Sequence, residues 1–92
     1  MMSRVDPVIV EFFGVPRLRA GQATLAVAPG TAAEVLAAVE RACPGLAGLL
    51  RPDGRLAPHY LLSLDGRQFV TDLSLVLSPG TRVLLLSADA GG

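Results

Sequence analysis

Residues 82–86 read Arg-Val-Leu-Leu-Leu, and this almost unbroken apolar stretch decides how the rest of the chain is arranged. It has the length of a strand, and a strand that is apolar at consecutive positions is expected where both of its faces are covered. Residues 8–13, Val-Ile-Val-Glu-Phe-Phe, are the other most apolar strand-like segment. We therefore expect the two segments to lie side by side and parallel in the middle of one sheet.

A hairpin and one helix are predicted next along the chain. Gly14 to Gln22, which contains a proline and a second glycine, is typical of a turn, and the alternating residues 23–27 predict a strand antiparallel to 8–13. Thr31 and Glu34 have the spacing of a capping box and predict the start of a helix. The helix should bury one apolar stripe and end at Pro44-Gly45. The stripe consists of Ala32, Val35, Leu36, Val39 and Cys43.

The second half of the chain predicts further strands. Residues 60–64 are strand-like, Asp65-Gly66 is typical of a type I′ turn, and residues 67–70 should pair back. Ser78 to Thr81 indicates another turn before the final strand. Residues 46–50 are compatible with a short helix or a buried loop, and residues 73–77 are ambiguous.

This order of elements predicts an α+β fold of the β-grasp type, in which one main helix packs on one face of a mixed sheet of four to five strands. Residues 1–87 should form this domain, and residues 88–92 a flexible C-terminal tail ending in Gly-Gly. The tail would then leave directly from the central strand.

Composition limits the classes of function. The 92 residues suit one domain, and a hydrophobic content of 51% supports a folded core. Eight basic residues, spread along the chain, balance eight acidic ones, which argues against nucleic-acid binding. No apolar run approaches a membrane span, and no signal peptide is evident, so we expect no membrane association and a cytoplasmic location.

The polar residues do not suggest an active site. Cys43 is the only cysteine and lies on the apolar helix stripe, so we expect a buried structural thiol rather than a reactive one. His59 is the only histidine and is expected at the surface or at a strand edge. The sequence thus predicts no catalytic residue, no metal site and no bound cofactor.

The final residues, Gly91-Gly92, point to a different kind of chemistry. A terminal glycine places no Cβ beside its carboxylate, and a second glycine before it removes the next obstruction. The five residues after Ser87, fully extended, would reach about 17 Å. Such a segment suits a carboxylate that must enter the active site of another protein, although a plain terminal tail remains the alternative.

In these features the chain resembles the ubiquitin-like sulfur carriers, which include the small subunit of molybdopterin synthase and the carrier of thiamin biosynthesis. The resemblance covers nearly the whole length. It consists of residues 8–14, the helix start at Pro29-Gly30-Thr31, residues 78–83 and Gly91-Gly92. The residues before the glycines, 87–90, depart from the proline-containing approach of many molybdopterin-synthase subunits.

The resemblance implies a carrier that is a substrate rather than an enzyme. A separate adenylating enzyme of the ubiquitin-activating type would use ATP to join the Gly92 carboxylate to AMP. A sulfur donor would then convert it to a thiocarboxylate, which a sulfur-accepting synthase subunit would use in molybdenum-cofactor, thiamin or other biosynthesis. Gly91 would supply clearance. The alternative is a protein modifier that is conjugated through its terminal glycine to target lysines.

A partner surface is also predicted. Strand alternation places Val8, Val10 and Phe12 on the face opposite Ile9, Glu11 and Phe13, and Glu11 marks the face turned away from the helix. On that uncovered face we expect an apolar patch that docks partners. This patch, called the sheet patch below, consists of Ile9, Phe13, Leu84 and Leu86. The alternatives are a covering loop drawn from residues 46–58 or the opposite register.

Overall fold

A computed structural model describes residues 5–88 of the chain. Its strands are β1 (Val8–Phe12), β2 (Thr24–Val27), β3 (Gly30–Thr31), β4 (Tyr60–Leu64), β5 (Gln68–Phe69), β6 (Val76–Leu77) and β7 (Arg82–Ser87). The helices are α1 (Val15–Ala20) and α2 (Ala32–Ala42), followed by a 3₁₀ turn at Pro44–Leu46. Among the described residues no helix is long and apolar enough to cross a membrane.

The main sheet has the strand order β2-β1-β7-β4-β5. The last strand, β7, lies in the centre, parallel to β1 on one side and antiparallel to β4 on the other. β1 and β2 form the predicted antiparallel hairpin. The parallel central pair expected from residues 8–13 and 82–86 is therefore confirmed, together with the mixed five-stranded sheet of an α+β β-grasp fold. β3 and β6 make a separate two-stranded sheet.

The core lies between α2 and one face of the sheet. Val8, Val10 and Phe12 of β1 are buried there with Val83 and Leu85 of β7. All five residues of the predicted apolar stripe of the helix are buried as well. Both the register of β1 and the orientation of α2 thus agree with the alternation of apolar residues in the sequence.

Hydrogen bonds from outside the helix hold the first turn of α2. The Glu34 N–H donates to the Thr31 hydroxyl at 3.1 Å, and the Thr31 N–H donates to the Glu34 carboxylate at 2.9 Å, as the capping box predicted. The Ala32 and Ala33 N–H groups donate to the carbonyls of Leu75 and Leu73. Because the N–H groups of a first helical turn have no partner within the helix, these bonds fix where α2 begins.

One predicted turn is wrong in part. Residues 14–22 were expected to form only a turn, but they contain α1, which has Pro16 in its first turn. Gly14 and Gly21 flank the helix with positive φ angles of 64° and 73°. Proline in a first helical turn and glycine just past the last turn are both compatible with a short helix. The same residues that indicate a turn therefore also delimit a helix of six residues.

The structure shows which conformation the segments with open predictions adopt. Residues 46–50 form no second α-helix: Leu46 ends the 3₁₀ turn, and in the loop after it Leu49 is fully buried, as is Leu46, while Ala47 and Gly48 are exposed. The ambiguous segment 73–77 ends in the short strand β6. Asp65 and Gly66 both adopt positive φ angles, as a type I′ turn requires, and β5 pairs back onto β4 after them.

Candidate functional site

The point where the chain leaves the sheet is the first part of the candidate site. β7 ends at Ser87, and the next N–H, that of Ala88, donates to the carbonyl of His59 at 2.8 Å. This bond continues the ladder between β4 and β7 by one residue beyond the strand. The base of the predicted tail is therefore held in the centre of the sheet. Gly91 and Gly92 lie outside the described residues.

Residues of α1 and of the start of β4 lie next to the end of β7. Tyr60 is opposite Ser87 in the register of β4 and β7, and its side chain is 5% exposed. Its hydroxyl accepts a hydrogen bond from the Arg19 guanidinium at 3.1 Å, which joins α1 to the start of β4. The ring of exposed His59 lies 5.0 Å from that of Tyr60. Helix α1 and the first residues of β4 thus border the end of β7.

The sheet face turned away from α2 carries the predicted sheet patch. Leu84 lies between Glu11 and Ser63 in the strand register, and Leu86 lies opposite Leu61. Phe13 follows β1, and its N–H donates to the carbonyl of Leu85. Ile9, Leu84 and Leu86 are half-buried, while Phe13 is 45% exposed. The four residues therefore share one face, as the alternation predicted, and their role in docking stays a prediction.

Neighbouring side chains extend this face. Phe69 of β5 is opposite Ser63 and 60% exposed, so another exposed apolar side chain lies on the same face at the far edge of the sheet. Arg82 and Glu11 form an ion pair on the same face. The sequence of residues 60–64 predicted a strand. It did not predict that this strand adds residues to the patch face, because that depends on the pairing of β4 with β7. Leu61 and Phe69 are thus the members that sequence reasoning missed.

A groove of about 370 Å³ lies beside this edge. Its walls come from residues 55–58, from β4 and from residues 69–73, and include Leu56, Pro58, Leu61, Phe69 and Thr71. Arg55 is the only titratable side chain of its lining apart from Tyr60. The lining that the structure describes therefore contains no carboxyl or imidazole side chain for general acid or base catalysis.

The described residues contain no cluster of three or more histidine, cysteine or acidic side chains able to hold a metal ion. Cys43 is buried, as predicted, and its sulfur accepts a hydrogen bond from the Gln22 amide at 3.6 Å.

The carboxyl group of Asp72 has a lowered pKa. The Ser74 hydroxyl, at 2.6 Å, and the Ser74 backbone N–H, at 3.0 Å, hold the pKa of exposed Asp72 below its usual value.

Helix α1 is the largest element near the site that the sequence did not predict. It presents Arg17, Leu18 and Arg19 on the surface next to the exit of the chain. The sequence did contain a signal for this exposed surface. A proline is followed by an apolar residue between two arginines, and the segment has a glycine at each end. Because only Pro16 of this helix is buried, no apolar stripe marked it.

The fold is that of ubiquitin-like β-grasp proteins, as three solved structures show. The crystal structure of SAMP1 from Haloferax volcanii is 24% identical, with a TM-score of 0.78, and the match covers 92% of this chain and 98% of that one. The solution structure of the Haloferax volcanii HVO 2177 protein is 29% identical, with a TM-score of 0.76, covering 96% and 88%.

The third is the solution structure of the small archaeal modifier protein 1 (SAMP1) from Methanosarcina acetivorans. It is 18% identical, with a TM-score of 0.77 and coverage of 98% of this chain and 100% of that one. No protein-family model and no curated protein matches the sequence. The structures therefore agree on the fold along nearly the entire chain.

Proposed function

We propose that this protein is a ubiquitin-like sulfur carrier whose Gly92 carboxylate is activated by a separate ATP-dependent adenylating enzyme. The observation that carries the proposal is the position of β7: the central strand of the sheet continues in sequence to Gly91-Gly92, and the Ala88 N–H is still bonded to the carbonyl of His59, the residue before β4. The chain is held in place at Ala88, and the residues after it lack bulky side chains. Together these features suit a C-terminal carboxylate that enters the active site of another protein.

The chemistry explains why an activating partner is needed. A carboxylate is a poor electrophile because attack on it must displace oxide. When a carboxylate oxygen attacks the α-phosphorus of ATP, pyrophosphate leaves and an acyl-adenylate forms. Sulfur at the oxidation level of sulfide, supplied by a donor, then attacks the acyl carbon and displaces AMP, leaving a thiocarboxylate on Gly92 without any change of oxidation state. The chain itself would bind no cofactor and supply no catalytic group, and the thiocarboxylate would pass its sulfur to an accepting synthase subunit in the cytoplasm.

The names of the similar structures favour a second candidate function. Two of the relatives described above are SAMP1, a small archaeal modifier protein, so this chain is alternatively a modifier joined to target proteins. In that case the amine of a target lysine, instead of the sulfur donor, would displace AMP. Because the chain contains no lysine, it cannot be the target of its own lysine conjugation.

Intact mass of the protein from cells separates the two functions. The carrier predicts a species in which sulfur replaces one oxygen, located by fragmentation on Gly92. The modifier predicts conjugates that survive reductant and carry Gly92 on a lysine of another protein. The same spectra establish whether Gly92 is the terminal residue in the cell. Detection of conjugates without any thiocarboxylate would make the modifier the correct function.

Adenylation tests the part that both candidates share. Deleting Gly92, or adding one alanine after it, should abolish ATP–pyrophosphate exchange by the adenylating enzyme of the source organism. The thermal midpoint should hardly change, because terminal residues contribute little to folding. One alanine added before Met1 is the matched control and should leave exchange intact. Exchange that persists without Gly92 would contradict the proposal.

We further propose that the sheet patch docks these partners. It lies on the one face of the main sheet that α2 leaves uncovered, and it includes Leu86, one residue before the end of β7. Apolar surface combined with charged groups is found at protein interfaces, and the Glu11–Arg82 ion pair lies within this face, with Glu11 between Ile9 and Phe13.

A further inference from the structure

Leu18 of α1 is the most exposed large apolar side chain in the described part of the protein, with 82% of its surface accessible. Helix α1 is nevertheless not loosely attached. The Gly21 N–H closes its last turn on the carbonyl of Arg17 at 3.0 Å, and Arg19 bonds to buried Tyr60. The backbone of Arg19 also packs so closely on Gly45 that a Cβ there would lie 2.1 Å from the Arg19 carbonyl oxygen. The structure thus presents Leu18 on a fixed support.

The residues on either side of Leu18 are positively charged. Arg17 and Arg19 are both exposed, and residues 12–23 contain no acidic residue. The ion pairs found within residues 5–88 are Arg51 with Asp53 and Arg82 with Glu11, so neither arginine of α1 is neutralised by a described carboxylate. Helix α1 is therefore a locally cationic surface on a chain whose formal net charge is zero.

The position of this surface relative to the end of β7 connects it with the proposed activation. Arg19 contacts Tyr60, Tyr60 pairs with Ser87, and the neighbouring His59 carbonyl holds the Ala88 N–H. A protein that receives the segment after Ala88 would therefore approach α1 at the same time.

We propose that Arg17, Leu18 and Arg19 form a docking site for an acidic surface with an apolar socket on the adenylating enzyme. This inference rests on the proposed function and adds the chemistry of the partner surface to it. Leu18 would enter the socket, and carboxylates at its rim would pair with the two guanidinium groups. A nucleic-acid phosphate backbone fits less well, because an exposed leucine between the cations would gain nothing from it.

Steady-state ATP–pyrophosphate exchange, measured against chain concentration at low and high salt, tests this site. Arg17→Glu should raise the KM for the chain about fivefold at low salt with kcat unchanged, and should weaken the dependence of KM on salt. Leu18→Ala should raise KM about tenfold and leave the salt dependence as in the wild type. Both side chains are exposed, so folding should be preserved.

Arg67→Glu is the matched control. It makes the same change of charge in the turn between β4 and β5, near the start of β7 and thus at the opposite end of the sheet. If Arg17→Glu and Arg67→Glu have equal KM values, the docking site is wrong while the proposed function stands. If the wild-type chain supports no exchange, both are wrong. Salt-sensitive binding of a single-stranded oligonucleotide that Arg17→Glu abolishes, with exchange unchanged, would assign α1 to nucleic acid instead.

Discussion

Ser74, through its hydrogen bonds to Asp72, stabilises the segment that holds the start of α2. The Ser74 hydroxyl and N–H both donate to the Asp72 carboxylate, and the Leu75 N–H donates to the Asp72 carbonyl. Leu73 and Leu75 in turn supply the carbonyls that bind the first N–H groups of α2. The ionised form of Asp72 therefore favours the conformation of the segment that holds the helix.

Ser74→Ala should bring the pKa of Asp72 back towards its ordinary value, because the larger of the two causes of the lowered pKa is lost. A carboxyl whose pKa is lower in the folded state adds stability above its unfolded pKa, and that contribution disappears as the pH falls through the folded pKa. The difference in unfolding free energy between wild type and variant should thus narrow below about pH 4. Carboxyl NMR titration and denaturation at several pH values measure both effects.

The control for this prediction is Ser78→Ala. It removes a serine hydroxyl that interacts with the Thr81 hydroxyl rather than with a carboxylate. It should leave the Asp72 titration where it is in the wild type. An unchanged Asp72 pKa in Ser74→Ala would mean that the hydroxyl is not the cause of the lowered pKa.

Among the secondary-structure elements, α2 depends most clearly on residues that its sequence identifies. Thr31→Ala removes the side chain that accepts from the Glu34 N–H and should destabilise the protein by about 1 kcal/mol. Glu34→Gln keeps an acceptor for the Thr31 N–H and should cost less than Thr31→Ala. Chemical denaturation of the two variants gives the comparison. Equal losses would show that the charge of Glu34 contributes as much to stability as the Thr31 hydroxyl.

The end of strand β1 offers a matched pair of adjacent phenylalanines on opposite faces, Phe12 in the strand and Phe13 just after it. Phe12 is 2% exposed in the core, so Phe12→Ala should cost about 3–5 kcal/mol of unfolding free energy. Phe13 is 45% exposed, so Phe13→Ala should cost well under half of that and should instead weaken binding to the adenylating enzyme. Denaturation and titration calorimetry measure the two quantities. A large loss of stability for Phe13→Ala with unchanged binding would place the docking face elsewhere.

The elements also differ in how well the sequence predicted them. Residues 8–13 and 82–86 are long enough for alternation and continuous apolarity to define strands and their neighbours. α1 was missed because its boundary residues are equally typical of turns, and β3 and β6, of two residues each, are too short to show any period. The faces of the sheet patch followed from alternation alone. Leu61 and Phe69 lie on the same face as the sheet patch because β4, which carries β5 at its edge, pairs with the distant strand β7.

At the scale of the whole molecule, the most protected part of the sheet is expected to be the strand that leads to the tail. β7 is paired with β1 on one side and β4 on the other, and its Val83 and Leu85 side chains are fully buried in the core. β5 has only two residues and lies at an edge. Local opening should therefore release β5 long before β7, so that the base of the tail keeps its place while the edge of the sheet fluctuates.

Hydrogen exchange can test this order. The amides of Val83 and Leu85 should exchange at least about a hundredfold more slowly than the slowest amide of β5, because their release requires the central strand to open. Phe12→Ala lowers global stability and should accelerate exchange in β7 in proportion, while exchange in β5 should hardly respond, since it occurs through local opening. Exchange in β7 as fast as in β5 would show that the central strand opens locally, and the tail would then lack the firm base on which its delivery into a partner depends.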